Sequence, residues 1–125
     1  MGDRGNIVVR EGASAVWLYC HWRGSEIGEV VRKALAKKER WNDTPYLTRI
    51  VFQELLNGDT GTSGFGIATS ICDNEHPVIV VDTSKQEVQT YGDDGDISGK
   101  PIKKTSFTDY IAAKAAKHKE DPGED

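Results

Sequence analysis

A chain of 125 residues has room for one hydrophobic core, and its 37% hydrophobic and 29% charged content is that of an ordinary globular domain. No apolar run approaches the roughly 18 residues that a membrane-crossing helix needs, so such a helix is excluded. The net charge of −4 disfavours free-standing attraction to nucleic acid or to an acidic membrane surface.

The opening Met1-Gly2-Asp3-Arg4-Gly5-Asn6 has no apolar signal region and no Ser or Thr at Asn6, so neither export nor myristoylation is expected and the reading is cytoplasmic. Ile7 to Arg10 favours strand, Glu11 to Ser14 supplies a turn, and Ala15 to Trp22 alternates. Val16, Leu18, Cys20 and Trp22 fall on one side and Trp17, Tyr19 and His21 on the other, which predicts a hairpin whose second strand lies inside a sheet. Ser25 then stands as an N-cap before Ile27, Val30, Val31, Ala34 and Leu35, the spacing of an amphipathic helix ending near Lys38. A second helix opens at Thr44-Pro45, cap and then proline, and stops at Asn57-Gly58. Its broad apolar arc, from Tyr46 and Leu47 to Leu55 and Leu56, predicts the more buried helix of the two.

After a polar loop from Asn57 to Gly64, Phe65, Ile67, Thr69 and Ile71 alternate with Gly66, Ala68, Ser70 and Cys72, a strand with one bulky and one small face. Val78 to Val81 and Gln86 to Tyr91 predict a second hairpin. Ser106 caps a last helix through Ser106-x-x-Asp109, anchored by Phe107, Tyr110 and Ile111. The expected fold is therefore α+β, with about five strands in an antiparallel or mixed sheet, two central helices on one face and a C-terminal helix at an edge, in the order β-β-α-α-β-β-β-α. One domain over residues 1–118 and a disordered tail over 119–125 are expected.

The densest chemistry is Cys72-Asp73-Asn74-Glu75-His76-Pro77, a thiol, two carboxylates and an imidazole in one inter-strand loop. A zinc site on Cys72 and His76 would need both Cys20 and His21 as well, but adjacent strand residues point to opposite faces, so no metal is expected, and a chain with a core of this size needs no disulfide between Cys20 and Cys72. An acid–base site would set His21 against Asp73, Glu75 or His76, since a neighbouring carboxylate fixes an imidazole's tautomer. The ordinary use of such residues is structural, with His21 bonded to a loop and Asp73 and Asn74 making a turn. Gly58 to Gly66 is glycine-rich but leads into a strand and lacks Gly-Lys-Ser/Thr, so it is not read as a nucleotide loop, and no cofactor is expected. Asp93, Asp94 and Asp96 lack the EF-hand order and read as an acidic turn.

At His21-Trp22-Arg23-Gly24, followed by a capped helix, the chain resembles an uncharacterised family of small phage and bacterial proteins whose strand ends in His-Trp-Asp-Gly. The opening Met1-Gly2-Asp3-Arg4-x-Asn6 and the Cys-Asp-Asn-Glu-His-Pro loop extend the likeness over roughly residues 1–82. Arg23 replaces the family's Asp, which weakens any shared role for that Asp as a partner of His21. The resemblance implies a mobile-element setting, in which small acidic α+β proteins often act by blocking a host or competitor protein.

Two readings follow. One is a non-enzymatic protein-binding module, in its specific form an inhibitor of a host defence protein, with an interface on a sheet edge or the charged face of the first helix. Its candidate contact residues are Trp22, Arg23, Trp41, Asp93, Asp94 and Asp96, aromatic anchors and segregated charge without a nucleophile motif. The other is a small enzyme or ligand-binding domain using His21, Asp73, Glu75 and His76. A protein partner is expected, and direct nucleic-acid binding is not.

Overall fold

The computed structural model describes residues 2–112. Ile7-Val8-Val9 and Val78-Ile79-Val80-Val81 are unbroken β-branched runs, the signature of strands covered on both faces. They form β1 (Gly5–Glu11) and β4 (Val78–Asp82), which pair in parallel at the centre of the sheet with Val8 opposite Val80. The turn after β1 leads into β2 (Ser14–Cys20), antiparallel to β1, and β3 (Phe65–Ala68) pairs with the far side of β2. On the other flank β5 (Glu87–Tyr91) pairs with β4, and β6 (Lys103–Ser106) with β5. The sheet is thus mixed and six-stranded, in the order β3-β2-β1-β4-β5-β6.

The α+β class holds, with one strand more than expected. β6 was hidden because Lys-Lys-Thr-Ser carries no apolar alternation; its register against Glu87–Thr90 is what makes it a strand. β3 stops at Ala68, short of the alternation that runs to Cys72. A Cβ on Gly66 would meet nothing within 4 Å, so close approach does not explain the small residue there.

Two helices, α1 (Ile27–Ala36) and α2 (Thr44–Leu56), pack on one face of the sheet. α1 is the more buried, reversing the expectation. It hides Ile27, Val30, Val31, Ala34 and Leu35, whereas α2 hides only the narrow stripe Leu47, Val51 and Leu55. Tyr46 falls outside that stripe and lies under the Arg40 guanidinium. Ser25 does not cap α1. It lies in a 3₁₀ turn over Gly24–Glu26, and its hydroxyl goes to Asp3 instead. Asp43, not Thr44, caps α2 by accepting from the Tyr46 N–H, and Asn57 closes the helix in the left-handed conformation.

A third helix, α3, begins at residue 107 and continues to the end of the described residues at 112. Ser106 caps it as expected, accepting from the Asp109 N–H. Phe107 enters the helix-side core, and the Tyr110 hydroxyl donates to the Gly28 carbonyl of α1 at 2.9 Å. The expected tail over 119–125 lies outside the described residues.

The opposite face carries a smaller core of Val8, Trp17, Val78, Val80 and Tyr91, roofed by Ile71 and Ile97 from loops instead of by a helix. Trp17 is buried in this core, and Trp41 packs half-buried against the helix-side one. Trp41 meets Phe107 edge-on and donates its indole N–H to the Leu35 carbonyl.

Candidate functional site

Two regions collect the residues singled out from the sequence. The first is where residues 2–5 cross the ends of β2 and α1. The Asp3 N–H donates to the His21 carbonyl, and the Asp3 carbonyl accepts from Gly24. The crossing is so close that a Cβ on Gly24 would lie 2.7 Å from the Arg4 carbonyl and 2.5 Å from His76 Cδ2. Gly24 is therefore present because no side chain fits.

The loop before β4 closes over this crossing. His76 Nε2 is 2.5 Å from Asp3 Oδ1, while Ser25 donates to Asp3 Oδ2 from both its hydroxyl and its N–H. These bonds, the Ser25 hydroxyl foremost, hold the Asp3 carboxyl below the ordinary carboxylate range. An ionised Asp3 can only accept, so Nε2 of His76 carries the proton. Arg4 donates its N–H and a guanidinium N–H to Glu75 and makes an ion pair with Asp73. The Arg4 N–H above all keeps the Glu75 carboxyl low, and Glu75 in turn raises the Arg4 guanidinium. Asn6, fully buried at the start of β1, completes the closure: its amide donates to the Asp73 carbonyl and to Asn74 Oδ1 and accepts from the Cys72 N–H.

His21 and His76 both touch Asp3, the first through its backbone and the second through its side chain. Among the described residues His21 forms no hydrogen bond with Asp73, Glu75 or His76. Its Nδ1 pairs with the Tyr19 hydroxyl at 3.0 Å. Ser25, Asp3 and His76 resemble a hydrolase triad in composition only. The carboxylate stands in the middle, so no imidazole faces the hydroxyl to take its proton. What the arrangement does is hold the chain's N-terminal segment against the sheet.

Arg23 also has a structural task. Its guanidinium donates to the Glu54 and Leu55 carbonyls at the end of α2 and pairs with Glu26. Asp93 lends its carbonyl to Asn74, Asp94 accepts from the Asp96 N–H, and Asp96 binds the Ser98 hydroxyl and N–H, which lower its carboxyl. Cys20 is buried on the helix side, where desolvation raises its thiol; Cys72 is half-buried, and both thiols are free. Among the described residues no three metal-ligating side chains converge.

The second region is the open edge of β3. Its Phe65–Ala68 backbone pairs with β2 on one side only. Ile67 is 64% exposed, and Trp22 is 55% exposed although its ring lies across Gly64, the residue just before the strand. Gly64 has φ +90, and a Cβ there would stand 2.2 Å from the indole. His21 supports the same indole edge-on at 4.7 Å. At the other end of the sheet, β6 presents Lys103 and Lys104, charged groups of the kind that guard an edge against pairing.

Sequence reasoning missed Asp3, Arg4 and Asn6 as partners of the loop and Ser25 as a partner of Asp3, because their bonds span 22 to 73 positions. The one local signal was Asn6, a polar side chain directly before an apolar strand. Comparison with protein-family models, curated proteins and solved structures finds no match.

Proposed function

We propose that this protein is a binding module that takes up an extended segment of a partner polypeptide along the open edge of β3. The observation that carries this reading is the difference in charge between the two sheet edges: β6 carries Lys103 and Lys104 beside the exposed Ile102, whereas β3 carries no charged residue and offers Ile67 and the neighbouring Trp22 to solvent. An edge strand turns alternate N–H and C=O groups outward, and a partner strand satisfies them while apolar pockets choose its side chains. The occupant is an extended chain with bulky apolar groups at alternate positions. A host defence protein is the specific partner that the resemblance of the His-Trp-Arg-Gly segment suggests.

The side chains of the alternative enzymatic reading give it less support. Glu75 is bound by Arg4 and His76 Nε2 is bound to Asp3, whereas the Asp73 carboxylate, largely exposed, has only an ion pair with Arg4 and gives Asn6 its backbone carbonyl. Among the described residues no helix is long and apolar enough to cross a membrane.

The test is Ile67→Lys, an exposed change that should leave the melting temperature within about a degree or two, since surface substitutions usually move stability by less than ~0.5 kcal/mol. A partner captured by the wild type and lost by this variant supports the reading. A partner retained by it overturns the assignment to β3, and a concentration-dependent dimer abolished by it identifies a second copy as the occupant instead.

A further inference from the structure

The sheet face opposite the helices carries a cleft of about 420 Å³ that none of the foregoing uses. It is walled by the ends of β1, β4 and β5 and by the loop leading to β6. Its floor is built from polar side chains at strand positions, which is an unusual use of a buried sheet face. Arg10 sits there with only 16% of its side chain exposed. Its guanidinium donates to the Ile97 carbonyl at 2.8 Å, to Gln89 Oε1 at 2.5 Å and to the Tyr91 hydroxyl at 3.1 Å, and it pairs with Asp82 at 3.6 Å. Gln89, 2% exposed, donates in turn to Asp82 and Glu87. The Tyr91 hydroxyl donates to the Gly99 carbonyl. This network fixes the floor without any ligand.

Around that floor stand Lys85, Lys100 and Lys104. None of the three ammonium groups has an ion-pair partner among the described residues. With Arg10 they make four cations against the two carboxylates of Asp82 and Glu87, a local excess of positive charge in a chain whose net charge is −4. Ser84 accepts from the Gly12 N–H at the same rim, which leaves its hydroxyl proton for another acceptor.

We infer that this cleft binds a small organic phosphate. The charge excess requires an anion, and the kind of donor left over selects which one. A carboxylate is best recognised by the planar fork of an arginine, but the fork of Arg10 is already occupied by Gln89, Tyr91, Ile97 and Asp82. What remains are ammonium groups and a hydroxyl, point donors that suit the several oxygens of a tetrahedral phosphate. The volume lies within the range of about 300–1,000 Å³ typical of small-molecule sites, so a phosphate occupies only part of it and an organic body fills the rest.

The site is distant in the sheet from β3 and does not depend on the proposed function. The experiment is a titration of the full chain, at constant ionic strength, with adenosine monophosphate, glucose phosphate, inorganic phosphate and citrate, followed by amide chemical shifts. At least one organic phosphate should give saturable shifts at Gly12, Ser84, Gly99 and Lys104, with affinity about tenfold or more above citrate. Lys100→Gln/Lys104→Gln, two exposed changes, should weaken that binding by about tenfold while leaving the melting temperature unchanged. Absence of saturation with both organic phosphates, equal response to citrate, or an affinity unaltered in the double variant would each overturn the assignment. Saturation by inorganic phosphate alone would also overturn it, since the organic body would then contribute nothing.

Discussion

His76 Nε2 lies 2.5 Å from the Asp3 carboxylate although 73 positions separate the two residues, and around this contact residues 2–5 are bound to β2, to the turn before α1 and to the loop before β4. Glu75 and His76 of the closing loop both take part in this binding, which has direct consequences for stability.

The carboxyls of Asp3 and Glu75 sit below their ordinary values of 3.8 and 4.5 in the folded protein. On acidification the unfolded chain therefore takes up protons before the folded one does. The stabilisation is complete above those ordinary values and is lost as pH falls from about 4.5 through the lower folded values. Melting temperatures from pH 6 down to about 2.5 should show this decline, and Asp3→Asn/Glu75→Gln should be less stable at pH 6 with a shallower decline. An identical slope in the double variant would mean that other carboxyls dominate.

Gly24 and Gly66 should respond in opposite senses to alanine. At Gly24 a Cβ would collide with the Arg4 carbonyl, which is backbone and cannot rotate away, so Gly24→Ala should cost about 1–3 kcal/mol or more. At Gly66 the same atom meets nothing within 4 Å, and Gly66→Ala should stabilise by roughly 0.5 kcal/mol through the lower entropy of the unfolded chain. Urea denaturation of the two variants beside wild type measures both.

Arg23→Ala should lower stability by about 1–3 kcal/mol, because the Glu54 and Leu55 carbonyls lose a charged donor at the end of α2. Arg23→Lys should recover only part of this loss, since one ammonium cannot reproduce a fork that also holds Glu26. Amide hydrogen exchange should show the last turn of α2 opening more readily in both. If Arg23 instead served as a binding contact alone, exchange would not change.

Tyr110 offers a spectroscopic check on how α3 docks. Burial pushes its phenol up to about 12. The unfolded chain ionises this group near 10, so the stability it contributes is whole below that value and is lost as pH rises from there toward 12. Ultraviolet titration should find one tyrosine fewer ionising near 12 in Tyr110→Phe, with the remaining tyrosines unchanged. A phenol at position 110 titrating near 10 would mean that α3 is not seated on Gly28.

The amphipathic spacing of Ile27 to Leu35, the Asn57-Gly58 stop and the apolar runs at Ile7 and Val78 were legible in the sequence, because each is written within one or two turns of chain. The α+β class followed from them. β6 was not legible, since Lys103–Ser106 becomes a strand only by pairing with β5. Nor was the greater burial of α1, which depends on how much of each apolar arc the sheet covers. The same limit applies to the candidate sites. Trp22 and Trp41 look alike as aromatic residues flanking a helix, yet the return of α3 places Phe107 against Trp41, whereas Trp22 rests on Gly64 at an edge with no further strand among the described residues. Local pattern determines which elements form and which face of each is apolar. Only the tertiary structure decides which faces are covered, which edges stay open, and that Asp3 meets His76 and Arg10 meets Gln89, because hydrogen bonds between distant residues leave no periodic trace in a single chain.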